Sequence, residues 1–327
     1  MRKAVALVIG AAGILLWPGC RSAPSERVRD KAGYRWRQTD RSVALLDSGR
    51  IVWQLNYPKQ GQPYFHPLAV ADGTVLTAHR PADHPWHKGL WFSWKYINGL
   101  NYWDPEQPPG QTKVTDVETH LAKDYSARIE LTLSYHRPGS PAVLTERRNL
   151  IISTPDNAGC YYIDWLSVFT AADTDVVLDR TPISGEKNGK SYGGYAGLSL
   201  RMADHASRWQ FLGSEGPLPA ETRGDKARWV DFGGKLGNGR FAGVAVFDHP
   251  DNPRHPVSWW LSSSMPYLSP AVLFRAPYTL RQGRTLALRY RVLVHTGPSD
   301  KKLLEENWKT FAASATQPAP GPARRAR

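Results

Sequence analysis

The residues best suited to chemistry lie in one short segment, where only Pro85 and Trp86 separate His84 from His87 and Asp83 comes directly before them. Proline disfavours a regular helix, so we expect a tight loop that points both imidazoles into one cleft. Imidazole exchanges protons near neutral pH and is also the commonest metal ligand. We therefore predict that His84 and His87 are catalytic and that Asp83 orients one ring. We predict no cofactor. A divalent metal held by Asp83, His84 and His87 is the alternative.

Aromatic residues with a polar edge surround these histidines. The chain contains 13 Trp and 14 Tyr but 9 Phe, and such rings can be half buried at a binding surface. Flat rings of this kind stack on the C–H faces of sugars. We expect Trp53, Trp91, Trp165 and Trp260 to fill the core, and Trp86, Trp94, Trp103 and Trp259 to lie in a cleft. The predicted substrate contacts among the rings are Tyr64, His66, Trp94, Trp103 and Trp259.

Two further polar segments add charged candidates. Glu186 lies in a glycine-rich stretch that lacks the spacing of a phosphate-binding loop, so nucleotide binding is not predicted. Its carboxylate is either the base or nucleophile that partners the histidines or an exposed loop residue. His255 is a further candidate acid in a loop between strands. Arg201 and Arg254 either bind a substrate carboxylate or form structural ion pairs.

Composition restricts the class of protein. The chain has 327 residues, of which 41% are hydrophobic and 22% charged, as expected for a globular domain with a large core. The formal net charge is +13, but part of the excess lies in the two termini and the remainder is spread over many loops. Nucleic acid is therefore not a predicted partner.

The N-terminus has the layout of a secretory signal. Arg2 and Lys3 precede an apolar run from Ala4 to Trp17, and Gly19 stands before Cys20. A cysteine after a small residue resembles a bacterial lipobox, although Trp17 departs from its usual pattern. We predict lipidation of Cys20 and an exported protein of the cell envelope or periplasm that is anchored to the membrane. Plain secretion or an uncleaved anchor is the alternative. Residues 21–36 are expected to form a tether.

Short alternating apolar runs, punctuated by 28 Gly and 26 Pro, predict an all-β fold over residues 37–313. One helix is expected near the C-terminus, with Ser299 as its cap, Asp300 in its first turn, and Trp308 and Phe311 at helical spacing. Residues 314–327 are predicted to be a disordered basic tail. Cys160 is expected to be a small buried residue. The clearest predicted strands are 42–46, 50–55, 127–135, 143–152, 161–169, 197–202, 228–232, 241–247 and 285–294.

Several of these segments resemble a bacterial family of unknown function that is labelled PmoA-like and found in exported proteins. The label names a membrane subunit with several spans, and no apolar run after the leader reaches eighteen residues, so we do not expect that activity. Members of the family commonly carry a histidine where this chain has Trp86. The resemblance rests on Pro63–Leu68, Asp83–Trp91, the stretch 193–201 and Asn252–Pro256.

The closing segment 282–295 is similar to the last strands of the galactose mutarotase-like supersandwich. That resemblance implies a large antiparallel β-supersandwich in which a histidine and a carboxylate share acid and base work across a sugar ring. By motif the histidine would be His84 or His87. We predict a carbohydrate or glycoside substrate, with an acidic sugar favoured by the available arginines, and a lyase, hydrolase or epimerase reaction. The alternatives are a non-catalytic carbohydrate-binding lipoprotein and a metal-dependent oxidase.

Overall fold

The computed structural model describes residues 33–104, 109–204 and 206–314. Strands joined by short turns occupy most of these ranges, and one helix follows the last strand. The first eight strands are β1 (Tyr34–Gln38), β2 (Ser42–Asp47), β3 (Arg50–Asn56), β4 (Tyr64–Leu68), β5 (Leu90–Ser93), β6 (Tyr96–Ile97), β7 (Leu100–Asn101) and β8 (Gln111–Leu121). The next seven are β9 (Ala127–His136), β10 (Ala142–Ile152), β11 (Tyr161–Ala171), β12 (Val176–Asp179), β13 (Gly197–Arg201), β14 (Ala206–Gly213) and β15 (Gly216–Leu218). The last elements are β16 (Glu221–Lys226), β17 (Trp229–Leu236), β18 (Phe241–Asp248), β19 (Ser258–Ser262), β20 (Tyr267–Pro270), β21 (Tyr278–Leu280), β22 (Thr285–Thr296) and α1 (Lys301–Ala312).

Two large antiparallel sheets form the body of the protein. The first sheet has the strand order β1-β2-β3-β4-β5-β13-β20-β19-β16, and the second has the order β15-β14-β17-β18-β22-β11-β10-β9-β8. A small third sheet has the order β21-β12-β6-β7. The predicted all-β sandwich with large antiparallel sheets and one C-terminal helix is therefore confirmed.

The core lies between the two large sheets and follows from the alternation of apolar residues along their strands. Phe92 of the first sheet lies 5.2 Å, between ring centroids, from Phe169 of the second, and Trp94 lies 5.1 Å from the same ring. In β9, Ile129, Leu131 and Leu133 all point into this core and have almost no exposed surface. Removing such side chains from water stabilises the fold by roughly 1.5–3 kcal/mol each.

The first sheet has a second face that points away from this core. Successive residues of a strand point to opposite faces, so each strand of the first sheet carries both kinds of residue. In β13, Leu198 and Leu200 belong to the core, whereas Ser199 contacts Tyr267 on the other face. We call this second surface the outer face. It positions side chains from β5, β13, β20, β19 and β16 next to one another, and loops cover part of it.

The helix α1 begins one residue later than the sequence predicts. Asp300 is the N-cap, since its side chain accepts hydrogen bonds from the backbone N–H groups of Lys302 and Leu303 at 2.9 and 3.2 Å. Ser299, the predicted cap, instead donates to Asp231. The predicted docking of the helix is observed, because Leu304 and Phe311 are buried in a small cluster on the second sheet.

The domain starts earlier than expected, because β1 begins at Tyr34 and Tyr34 is buried. The last residues of the predicted tether are thus part of the first sheet. Cys160 is buried as predicted, with its Sγ 3.7 Å from Thr296 Oγ1. In the ranges that the structure describes, no helix is long and apolar enough to cross a membrane. The predicted leader, Cys20 and the tail after Ser314 lie outside the described residues.

Candidate functional site

A cavity of about 490 Å³ lies on the outer face of the first sheet, and we call it the first cavity. One wall is the loop that carries His84, Trp86 and His87. Glu221 and Arg223 of β16 also line the cavity. The aromatic lining consists of Trp86, Trp103, Tyr192, Tyr195, Trp260 and Tyr267.

The histidine loop is a pair of tight turns, as its proline predicts. The backbone N–H of His84 donates to the Pro81 carbonyl at 3.1 Å, and that of His87 donates to the His84 carbonyl at 3.0 Å. This turn brings the two imidazoles together, with ring centroids 4.6 Å apart and planes 24° from parallel. The structure thus places both predicted catalytic histidines against the same cavity.

Asp83 orients His84 and is itself held by an arginine. Its Oδ2 lies 3.0 Å from His84 Nδ1, and Arg201 Nη2 donates to Oδ1 and Oδ2 at 3.0 and 2.7 Å. Burial alone would raise the pKa of the Asp83 carboxyl, but the hydrogen bonds and charges of Arg201 and His84 together outweigh it and hold the pKa at about 2. A carboxylate only accepts, so Nδ1 carries the ring proton and Nε2 of a neutral His84 keeps a lone pair. Arg201 is therefore a support for this pair.

His87 is the buried member of the two histidines. Its side chain is 3% exposed, and its ring packs 5.1 Å from Trp91 and 5.3 Å from Tyr267, between centroids. Burial, followed by the nearby positive charge of His84 and Arg201, lowers the pKa of His87 to about 3. Its Nδ1 is buried and has no hydrogen-bond partner in the described part of the chain. The ring is therefore neutral at pH 7.

Glu221 is one of two carboxylates that line the first cavity, the other being Asp104, and the sequence reasoning missed it. Its Oε1 accepts hydrogen bonds from the hydroxyls of Ser262 and Ser264, each at 2.8 Å, and its Oε2 accepts from Arg223 Nη2 at 2.9 Å. These hydrogen bonds outweigh partial burial and lower the pKa of Glu221. The Arg223 guanidinium also lies 3.5 Å from the ring centroid of Trp260. The sequence feature that could have indicated Glu221 is its spacing from Arg223. The two residues are separated by one position in β16, so both charged side chains lie on the same face of the strand.

Tyr267 and its neighbours form an aromatic surface beneath the histidine loop. The Tyr267 hydroxyl lies 2.7 Å from Ser199 Oγ, and burial raises the pKa of this phenol well above its usual value. Tyr267 therefore keeps its proton at neutral pH. Trp260 packs edge-on against Tyr267 at 5.1 Å between centroids. Tyr192 is 53% exposed and lines the same cavity, so it presents an accessible ring to a ligand.

Two of the predicted substrate-stacking tryptophans are in the wrong place. Trp94 and Trp259 have no exposed surface and belong to the core between the sheets. Trp260, predicted to be a core residue, lines the first cavity instead. The reason is the alternation along β19, where adjacent residues point to opposite faces of the sheet. Trp103 lies in the cavity as predicted.

Glu186 does not meet the histidines. Arg180 Nη2 donates to its Oε1 at 2.5 Å, and the backbone N–H of Ile183 donates to its Oε2 at 2.9 Å. The side chain therefore fastens the start of the loop that carries Tyr192 and Tyr195. Its predicted role as the catalytic carboxylate is corrected to a structural one, because both oxygens are engaged outside the cavity lining.

The predicted residues of the loop after β18 are also structural. Arg254 donates to the backbone carbonyls of Val272, Ala276 and Pro277 at 2.8, 2.6 and 2.8 Å. His255 Nδ1 lies 2.7 Å from Asp248 Oδ2, and its ring stacks on Trp308 of α1. Neither side chain lines the first cavity. The sequence pattern could not reveal the contacts with Trp308 and with the carbonyls of Val272, Ala276 and Pro277, because these residues lie in other segments of the chain.

Tyr64 and His66 lie on β4, beside the first cavity but not in its lining. The Tyr64 ring stacks on His79 with centroids 4.7 Å apart, and His66 Nδ1 lies 3.0 Å from Thr77 Oγ1. Burial, together with His79, lowers the pKa of His66 to about 4. Neither side chain is therefore placed to contact a ligand that occupies the first cavity.

The alternative metal site is not assembled in this structure. No group of three His, Cys, Asp or Glu side chains that could hold one ion occurs within 33–104, 109–204 and 206–314. Asp83 already binds Arg201 and His84, and the rings of His84 and His87 are stacked on each other rather than directed at a common point. In this arrangement Asp83 is hydrogen-bonded to His84, and His84 is stacked on His87.

Comparison with known proteins places the chain in a family. The model of the family of unknown function DUF6807 matches residues 42–309, which include every strand of the two large sheets except β1, and most of α1, so the chain belongs to that family. A search of curated proteins returns no match.

Proposed function

We propose that this member of the DUF6807 family is an exported enzyme that acts on a sugar or glycoside by removing a proton within the first cavity. The observation that carries the proposal is the shared lining of that cavity, in which the oriented imidazole of His84 and the carboxylate of Glu221 occur among aromatic rings. Convergent titratable groups with perturbed pKa values in an aromatic pocket are typical of active sites.

His84 is the group proposed to take the proton. Because Asp83 accepts the Nδ1 proton, Nε2 of the neutral ring is available as a base. Arg201 keeps Asp83 in place, so the ring does not need to be ordered when a substrate binds. His87 is neutral and stacked on His84, so its ring adds no positive charge on this side of the proposed base.

The ionised state of the carboxyls favours proton abstraction over hydrolysis. The usual hydrolysis of a glycoside uses a pair of carboxyl groups, one of which is protonated beside the leaving oxygen. Asp83 and Glu221 both have lowered pKa values and are carboxylates at neutral pH. In contrast, a lyase and an epimerase both begin when a base takes a proton from a sugar carbon. The Tyr267 phenol, which keeps its proton, is the proposed donor to the oxygen or carbon that gains one.

The aromatic lining supports a sugar as the ligand. Trp86, Trp103 and Trp260 present large rings to the first cavity, and Tyr192 is exposed at it. The polar edges of such rings allow them to remain at a wet surface while their faces contact C–H groups. The resemblance of segment 282–295 to the galactose mutarotase-like supersandwich supports the same substrate class. We retain the lyase and the epimerase as the two proposed reaction types.

A non-catalytic carbohydrate-binding protein is the second candidate, and one observation favours it. Both oxygens of Glu221 and of Asp83 are already hydrogen-bonded within the protein. Carboxylates held in this way can order a binding surface without exchanging protons. In this case the first cavity would capture a glycan through its rings and leave it unchanged.

Export and membrane attachment through Cys20 remain part of the proposal and rest on the N-terminal sequence alone. Metabolic labelling with a fatty-acid analogue would test this attachment. We expect label on the wild-type protein and none on Cys20→Ser.

The deciding experiment is turnover of a panel of neutral and uronate-containing oligosaccharides by the wild type and by His84→Asn. Loss of turnover in His84→Asn with unchanged binding supports the enzyme. Binding without product in the wild type supports the second candidate. Metal analysis of the same samples tests the oxidase alternative, which requires stoichiometric metal.

A further inference from the structure

A second cavity of about 460 Å³ adjoins the first cavity. The two cavities share Trp86, Trp103 and Asp104 in their linings. The shared residues therefore lie at the boundary between the two cavities, and we call this boundary the ridge. A ligand longer than one ring can occupy both volumes if it passes over this ridge.

The second cavity is built around a fixed lysine. Lys88 Nζ donates to Gln62 Oε1 at 2.7 Å, and Gln62 is itself anchored because its Nε2 donates to the Tyr102 carbonyl at 2.6 Å. The Lys88 ammonium also lies 5.9 Å from the centroid of the Tyr64 ring. These contacts order the ammonium before any ligand is present, which lowers the entropic cost of binding.

The positive charge of this cavity is not balanced by the described part of the protein. Lys88 and Arg80 both line the cavity, and no carboxylate of the described residues forms an ion pair with either side chain. Asp104, the acidic residue of the ridge, is engaged by Lys95 Nζ at 2.7 Å. Burial, followed by the repulsion from Arg80, lowers the pKa of Lys88 to about 8. Two neighbouring cations in a partly buried cavity favour an anionic ligand.

We propose that the second cavity is a subsite for an oxyanion carried by a neighbouring sugar unit, so that the substrate is a charged oligosaccharide lying across the Trp86–Trp103 ridge. This inference rests on the proposed function for the occupant of the first cavity. The sequence favoured an acidic sugar because of its arginines, but Arg201 and Arg254 are both hydrogen-bonded within the protein. The second cavity offers Lys88 and Arg80 in their place. A carboxylate and a sulfate ester share the required chemistry.

Calorimetric titration of the full-length protein tests the subsite without requiring turnover. The probes are monomers and trimers of galacturonic, glucuronic and mannuronic acid, the methyl esters of the trimers, and a sulfated neutral trimer. The variant is Lys88→Met, which removes the charge and keeps the length of the side chain. The matched control is Lys123→Met, an exposed lysine in the turn between β8 and β9. If Lys88→Met does not fold, Arg80→Gln removes the other charge from an exposed position.

We expect at least one acidic trimer to bind the wild type about tenfold more tightly than its monomer, as a charge-assisted contact would provide. Lys88→Met should lose that gain and bind the methyl ester as the wild type does. A Lys88-dependent gain for the sulfated trimer alone identifies sulfate as the oxyanion. Equal weakening of acid and ester, or no gain from chain length, overturns the subsite.

The two proposals fail in different ways. A protein that binds acidic trimers through Lys88 but converts none contradicts the proposed reaction and supports the subsite. A protein that converts monomers and neutral trimers as well as acidic trimers contradicts the subsite and supports the reaction.

Discussion

Asp83 Oδ2 lies 3.0 Å from Nδ1 of His84, the next residue in the chain, in a loop where Pro85 prevents a helix from continuing. Adjacent residues rarely face each other in regular structure, and here the turn allows it. The pair is completed by Arg201, which comes from β13 on the sheet beneath. The proposed base His84, the carboxylate that orients it and the arginine that supports this carboxylate therefore come from two parts of the chain, the histidine loop and β13.

Asp83→Asn should lower kcat roughly 100-fold and leave KM within about twofold, because the asparagine amide can donate to His84 Nδ1 and favour the wrong tautomer. Steady-state kinetics on the converted oligosaccharide would measure this split. Asp83→Glu should restore part of the rate. Asp40→Asn is the control, since Asp40 is an exposed aspartate that pairs with its neighbour Arg41. Equal effects on kcat and KM would count against an orienting role.

The neutral state of His87 predicts a pH dependence of stability. Its folded pKa of about 3 lies below the ordinary value of 6.5, so the unfolded chain binds a proton below pH 6.5 that the folded protein does not bind until about pH 3. Stability is therefore complete at high pH and is lost as the pH falls. The His87 contribution amounts to about 2 kcal/mol between pH 8 and pH 5.

Urea unfolding of the wild type and of His87→Gln across this pH range would measure that contribution. The slope of the free energy of unfolding against pH measures the protons taken up on unfolding, and at pH 5 the variant should take up about one proton fewer than the wild type. His66 and His249 shift in the same direction, and the raised pKa of His295 acts in the opposite one, so the difference between proteins is the relevant quantity. His120→Gln, at an exposed site, should keep the wild-type dependence. Identical slopes for all three proteins would show that His87 is not buried as a neutral ring.

The choice of carboxylate is tested by two matched substitutions. Glu221→Gln should lower turnover at least about 100-fold, because Glu221 lines the first cavity and loses its charge there. Glu186→Gln should leave turnover within about threefold and lower the melting temperature instead, since Glu186 holds a loop through Arg180. Activity assays and thermal unfolding of both variants would decide the matter. The reverse pattern would restore Glu186 as the catalytic group.

Local features of the sequence were sufficient to predict most of the fold. The alternation in segments such as 127–135 gave strands close to their observed limits, because one face of each strand must be apolar. The cap of α1 was missed by one residue because Ser299 and Asp300 are both good caps, and only the contact of Ser299 with Asp231 decides between them. That contact joins segments 68 residues apart.

The candidate site was only partly predictable, because some of its contacts join residues that are far apart in the sequence. His84, His87 and Asp83 are close in sequence, so their clustering was visible without a structure. Glu221 reaches the cavity only because β16 lies at the edge of the first sheet, beside β19. Arg201, in contrast, was recognised as a charged residue beside an apolar strand, but its partner Asp83 lies 118 residues away. Long-range pairing of this kind cannot be read from spacing.

The adjacent tryptophans of β19 provide a final test of the two faces of the sheet. Trp259→Phe should destabilise the protein by about 1–3 kcal/mol and leave sugar binding within about twofold, because this ring fills the core and donates to the Ala227 carbonyl at 2.9 Å. Trp260→Phe should weaken sugar binding roughly tenfold, because the smaller ring changes the cavity lining and its contact with Arg223. Urea unfolding gives the stability of each variant, and calorimetric titration gives its affinity for the sugar. Weaker sugar binding in Trp259→Phe than in Trp260→Phe would mean that the ligand does not lie on the outer face of the first sheet.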